Sequence, residues 1–177
     1  MNFLHIGIGI VVAYVAWTFF RNRFLLQHGS AMHESLMYEI PEGFFVAERR
    51  KEEVFLQNSG EDGDITISIA TFVLPGSMTE RQERVDVLVG SFFASLDINA
   101  SQVTQQPTWT SPAGIPWNVS DAVSPEPEVY ARLHYVTEAR GYVGVALVSE
   151  PHCKERGLHA VGCILTSLAL LNSISEA

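Results

Sequence analysis

The chain is short of the residues that carry chemistry. Cys153 and Cys163 are its only two cysteines in 177 residues. They fall in one predicted helix, about 15 Å apart along its axis, beyond disulfide reach. They read as thiols, in keeping with a reducing compartment. No C-x-x-C pair or metal-ligand spacing is present, so neither a metal nor a cofactor is expected. A Walker loop, G-x-G-x-x-G, H-E-x-x-H, G-x-S-x-G and an EF-hand loop are equally missing. Glu61-Asp62-Gly63-Asp64 is acidic but lacks the oxygen spacing and closing Glu of a calcium loop, and reads as a solvated turn. There is no internal repeat and no low-complexity tract.

Positive charge is scarce as well. Removing Arg21 and Arg23, which border an apolar run, from the 11 basic residues leaves 9 against 20 acidic ones, a formal charge of −11. A surface of that sign repels phosphate backbones, so no nucleic-acid partner is expected. It also argues against a domain lying flat on an anionic bilayer.

What the chain does have is one long apolar run. Residues 3–20 are 18 positions without Asp, Glu, Lys or Arg, about 27 Å of helix and close to a hydrocarbon core in thickness. Trp17, Phe19 and Phe20 precede Arg21 and Arg23, as aromatic residues and arginines do at a membrane–water interface. A cleaved signal peptide is the rival reading. It would want positive charge before the run and small residues at a cleavage site, and Met1-Asn2 and Tyr14-Val15-Ala16 serve poorly. The expected organisation is a transmembrane anchor at 1–26, a connector at 27–35 and one soluble α+β domain at 36–177. Both arginines follow the span, which places that domain on the cytoplasmic side of an inner or energy-transducing membrane, or its equivalent. An exported domain is the alternative, with Asn99-Ala100-Ser101 and Asn118-Val119-Ser120 as glycosylation triplets.

The domain reads as strands, a helix, more strands and a final helix. A charged turn at 49–53 separates two short strands. In the long strand 65–74, Ile65, Ile67, Ile69, Thr71 and Val73 alternate with Thr66, Ser68, Ala70 and Phe72, the pattern of one buried face. Pro75-Gly76 closes it, and Ser77-Met78-Thr79-Glu80 fits a capping box. Val85, Leu88, Val89, Phe92, Phe93 and Leu96 then recur at helical steps. Strands at 103–110 and 116–123 flank a turn, and 129–137 with 141–149 form a hairpin. Pro151 opens a last helix whose stripe is Leu158, Val161, Leu165 and Leu168, widened by Ile164 and Leu171. The order predicts an antiparallel sheet flanked by helices.

Few residues invite a functional role. His152-Cys153 adjoins a helix N-terminus, where a thiolate is favoured, but catalysis would also need a base and an orienting group in place. An ordinary thiol is the expectation, and no catalytic residue is assigned. His134 reads as a surface or hydrogen-bonded histidine. His5 could ligate a tetrapyrrole metal from within the span; helix packing through Gly9, Ala13 and Ala16 is the favoured use of that face. Trp109 and Trp117 are core residues or the walls of a cleft.

Tyr38-Glu39-Ile40-Pro41-Glu42-Gly43-Phe44, the helix at 77–96, the hairpin at 130–148 and the buried helix at 158–171 together resemble the Mog1/PsbP-like α/β/α sandwich. That group includes extrinsic photosystem subunits, a nuclear transport factor and bacterial envelope proteins, mostly binding or assembly proteins without catalytic residues. A single span has no transport pathway of its own, and its small-residue face suggests lateral packing. The expected role is therefore a non-catalytic accessory or assembly subunit of a larger membrane complex, with integral membrane subunits and the lipid bilayer as partners. The resemblance implies that the complex is photosynthetic or respiratory. A tethered ligand- or protein-binding module is the alternative, and a tethered enzyme using Cys153 or a tryptophan-lined cleft comes third.

Overall fold

The computed structural model describes residues 36–58, 63–125, 128–138 and 141–170. The apolar run at 3–20, with His5, Gly9, Ala13 and Ala16, and the connector at 27–35 lie outside them. Among the described residues no helix is long and apolar enough to cross a membrane.

The elements, in order, are β1 (Leu36–Met37), β2 (Phe44–Arg49), β3 (Glu53–Asn58), β4 (Ile65–Val73), α1 (Met78–Ala94), a 3-10 turn (Ala100–Gln102), β5 (Thr104–Thr110), β6 (Pro116–Pro125), β7 (Glu128–Glu138), β8 (Gly141–Ser149), a second 3-10 turn (Pro151–Cys153), α2 (Lys154–Ser167) and β9 (Ala169–Leu170). Seven strands make one antiparallel sheet in the order β2-β3-β4-β8-β7-β6-β5, and β1 pairs separately with β9. Two meanders, β2 to β4 and β5 to β8, meet where β4 runs against β8 from Ile65↔Ser149 to Val73↔Gly141. Both edge strands are irregular, β2 between Val46 and Glu48 and β5 between Gln106 and Trp109. Pro107 falls in the second break, and bulges and proline are devices that discourage edge-to-edge pairing.

Each face of the sheet carries one helix. Ala70, Phe72 and Leu74 share a core with Val85, Leu88, Val89, Phe92 and Phe93 of α1. Ile65, Ile67 and Ile69 share another with Ala160, Val161, Ile164 and Leu165 of α2. The expectation of a single buried face on β4 is corrected here. Ser68, Ala70 and Phe72 are buried along with the isoleucines, because a strand at the centre of three layers has no solvent face.

The helices begin and seat themselves as their sequences direct. Ser77 is the N-cap of α1; the Glu80 N–H donates to Ser77 Oγ and the Ser77 N–H to Glu80 Oε2 at 2.7 Å, the reciprocal capping box. That interaction holds the Glu80 carboxyl below its usual range. Gly157 lets α2 approach β8 closely: a Cβ there would lie 2.7 Å from Leu147 Cδ1.

Candidate functional site

Beside α1 the sheet is incompletely covered, and a groove of about 520 Å³ opens between the helix, the turn that follows it and the sheet. Its geometry comes from helical spacing. Val89 and Phe93 point inward, while Asp86, Gly90 and Ala94 follow one another at steps of four on the exposed side. A Cβ on Gly90 would meet nothing within 4 Å, so the helix flank is open there. After α1 the chain reverses through Asp97 at φ 56°, and the Ile98 N–H donates to the Phe93 carbonyl at 3.0 Å. Aspartate is among the few side chains that take this left-handed conformation readily. The reversal brings Ile98 and Val103 opposite the helix as the far wall.

The floor of the groove is apolar except for Tyr135, while Asp86, Asn99 and Gln105 stand around it. Tyr135 stacks on Tyr142 with ring centroids 6.2 Å apart. Burial, and then the Asp86 charge, raise the Tyr135 pKa against an opposing hydrogen bond with Ser120. At neutral pH it is a hydroxyl set in an apolar floor beside a carboxylate. The arrangement suits recognition of apolar side chains together with a donor or positive charge.

Two further polar clusters lie toward the α2 face. In the first, Asp121 accepts from Gln106 Nε2 at 2.9 Å and from the Tyr130 hydroxyl at 3.2 Å, with Arg132 Nη2 at 3.9 Å. His134 lies two positions along β7 and is 7 % exposed, with neither ring nitrogen partnered among the described residues. The expectation of a surface or satisfied histidine fails here. Paired opposite Val119 and Val145 in the middle of the sheet, it is buried by its neighbours. Burial, and then the Arg132 charge, lower its pKa to about 4.

The second cluster gathers Glu150, His152 and Cys153, whose donor atoms all lie within 4.8 Å of one another. The sequence singled out His152 and Cys153 as neighbours; the turn that holds them adds Glu150, whereas nothing in the sequence tied the distant Gly63 to them. Cys153 and Cys163 are both thiols, the first buried. Trp109 and Trp117 are cross-strand partners, with Trp117 fully buried in the α2-side core and Trp109 packed partly buried against it. His5, Gly9, Ala13 and Ala16 lie outside the described residues.

Among solved structures, the chain is similar to a mutant of the protein Mog1, with a TM-score of 0.51 and 12% identity over 80% of this chain and 95% of that one. It is similar also to the Saccharomyces cerevisiae Ran-binding protein Mog1p, with a TM-score of 0.50 and 11% identity over 80% of this chain and 94% of that one. The fold is Mog1/PsbP-like. No protein-family model matches the chain, and no curated protein matches it in sequence. At this identity the likeness concerns the fold and assigns no residue a role.

Proposed function

We propose that this chain is a membrane-tethered, non-catalytic protein-binding module that docks a partner segment in the groove beside α1. The groove carries this reading: an apolar floor with one hydroxyl, a carboxylate at its side and a glycine that keeps its flank open. The partner segment would lay apolar side chains along Gly90, Ala94 and Val103 and offer a donor or cation to Asp86. Support comes also from the fold, shared with a protein described as Ran-binding. The apolar run at 3–20 is the basis for the tether. The finer reading, an accessory or assembly subunit of a photosynthetic or respiratory membrane complex, rests on that run and on the resemblance seen in the sequence.

The test is size separation of the native membrane after mild detergent treatment. The wild-type chain is expected to migrate with a larger assembly. Gly90→Leu, which fills the groove from an exposed helix position, should release it while the domain stays folded. Migration of the wild type as a lone chain would overturn the proposal. The groove volume also falls within the range of small-molecule sites, which favours a second reading, a small apolar ligand in the same place. Such a ligand would remain with the purified single chain and be lost in Gly90→Leu.

A further inference from the structure

At the junction of β8 and α2 the chain runs Ser149-Glu150-Pro151-His152-Cys153. Proline fixes the first position of the 3-10 turn, and three residues per turn stack Glu150 and Cys153 over one another. The Cys153 N–H donates to the Glu150 carbonyl at 3.0 Å. His152 stands beside them, its Nδ1 3.3 Å from Glu150 Oε2. Three donors of different chemistry thus leave one short turn in the same direction.

Gly63 faces them from the segment preceding β4. A Cβ on Gly63 would lie 2.8 Å from Cys153 Sγ, 2.8 Å from His152 Nε2 and 2.9 Å from Glu150 Oε2. Its φ of +112° independently favours glycine. Its carbonyl accepts from Asn58 Nδ2 at 2.7 Å and from Arg156 Nη2 at 3.4 Å, so its position is held from two elements. The three donors therefore converge on one small space that a side chain at 63 would close.

From this convergence we propose a binding site for a borderline-soft divalent cation of the zinc class, ligated by Cys153 Sγ, His152 and Glu150. Thiolate, imidazole and carboxylate are the donor types zinc takes, and three protein ligands leave its fourth tetrahedral position to water or another oxygen. Bond lengths of about 2.0–2.3 Å require the donors to draw in by about 1 Å. The His152 side chain is 63% exposed and has room to turn, supplying most of that movement, whereas the Glu150 side chain is 6% exposed and fixed. A carboxylate so buried is costly unless it is paired. The described groups that approach it offer an imidazole, and a dication neutralises it together with the thiolate. Binding of the cation would release the thiol proton, since the ligand is the thiolate. Cys163 and His159, with Sγ and Nε2 3.9 Å apart one turn from each other on α2, supply an internal control with two donors in place of three. The site lies away from the α1 groove and does not depend on the partner reading.

The experiment is titration of the full chain in detergent with Co²⁺, reading the thiolate-to-cobalt charge-transfer band, followed by displacement with Zn²⁺. One saturable equivalent is expected, displaced by Zn²⁺. Cys153→Ser should abolish the band, His152→Ala should weaken binding about tenfold or more, and Cys163→Ser should leave both unchanged. His152 is exposed, so His152→Ala tests the site even where Cys153→Ser fails to fold. No saturable band, a band indifferent to His152→Ala, or one lost with Cys163→Ser and kept with Cys153→Ser, would overturn the proposal.

Discussion

The two helices cover the same sheet from opposite faces, and a glycine in each does opposite work. In α2, Gly157 is buried and faces Leu147, so the helix settles close to β8 and its face is sealed. In α1, Gly90 is exposed and faces open space, so the helix leaves a groove along its flank. The same residue type thus seats one helix and opens space beside the other. What decides is which side of the helix it occupies relative to the inward stripe. Packing is carried by Val85, Leu88, Val89, Phe92 and Phe93 on one side and by Ala160, Val161, Ile164 and Leu165 on the other. Ala160 in the latter, together with Gly157, brings backbone close to the sheet.

If the α2 face is a sealed core, truncating it should be costly. Ile164 is fully buried, and Ile164→Ala should lower unfolding free energy by about 2–5 kcal/mol in denaturant titration. A loss below about 1 kcal/mol would show that the face collapses around the cavity and is less tightly filled than the burial implies.

The margin of the same face supplies a pH test. His134 has a folded pKa of about 4, lowered chiefly by burial, against an ordinary value of 6.5. The unfolded chain therefore binds the proton first as pH falls. Stability should be full above pH 6.5 and decline from there toward pH 4, by about 3 kcal/mol in all. His134→Leu should flatten that slope in chemical denaturation followed across the interval. An unchanged slope would assign the acid sensitivity to other groups.

Much of this architecture was legible because its signals are local. The capping box needs only Ser77 and Glu80, the α1 stripe only its own period, and the β7–β8 hairpin only two runs and a turn. The burial of both faces of β4 was not legible, since Ser68 and Ala70 are compatible with solvent and are buried only because α1 packs on their face while α2 packs on the other. Trp109 and Trp117 are as compatible with a cleft as with a core until the register sets them opposite each other. Two positions within the last turn–helix segment, His152 and Cys153, could be noticed as neighbours. Glu150 joins them through the local 3-10 turn, whereas Gly63 joins them only through the pairing of β4 with β8, which no spacing rule encodes. The groove was equally hidden: the helical period places Gly90 on the outward side, yet whether anything covers that side depends on the reversal at Asp97.

Substituting the two glycines separates their roles. Gly157→Ala gains about 1 kcal/mol of helix propensity. It also forces a Cβ to within 2.7 Å of a fully buried leucine, and overpacking of that kind costs about 1–3 kcal/mol. The net effect should be a small loss, visible as a lowered denaturation midpoint. A gain would mean that Leu147 repacks freely and that the close approach is not held by this residue.

Gly90→Ala makes the converse case, with the smallest effect. The position is interior to α1 and its new methyl meets nothing, so the propensity term stands alone and stability should rise by about 1 kcal/mol. Such a site is one where a more stable residue was available and a glycine stands instead. A partner segment lying across the helix flank would account for that, because it would contact the backbone that a side chain covers. The decisive observation is therefore a pair of measurements on one series. From Gly90→Ala to Gly90→Leu, stability should stay above wild type while association with the larger assembly falls with side-chain size. If association is indifferent to size, the groove is not where the partner sits, and the exposed glycine has no such explanation.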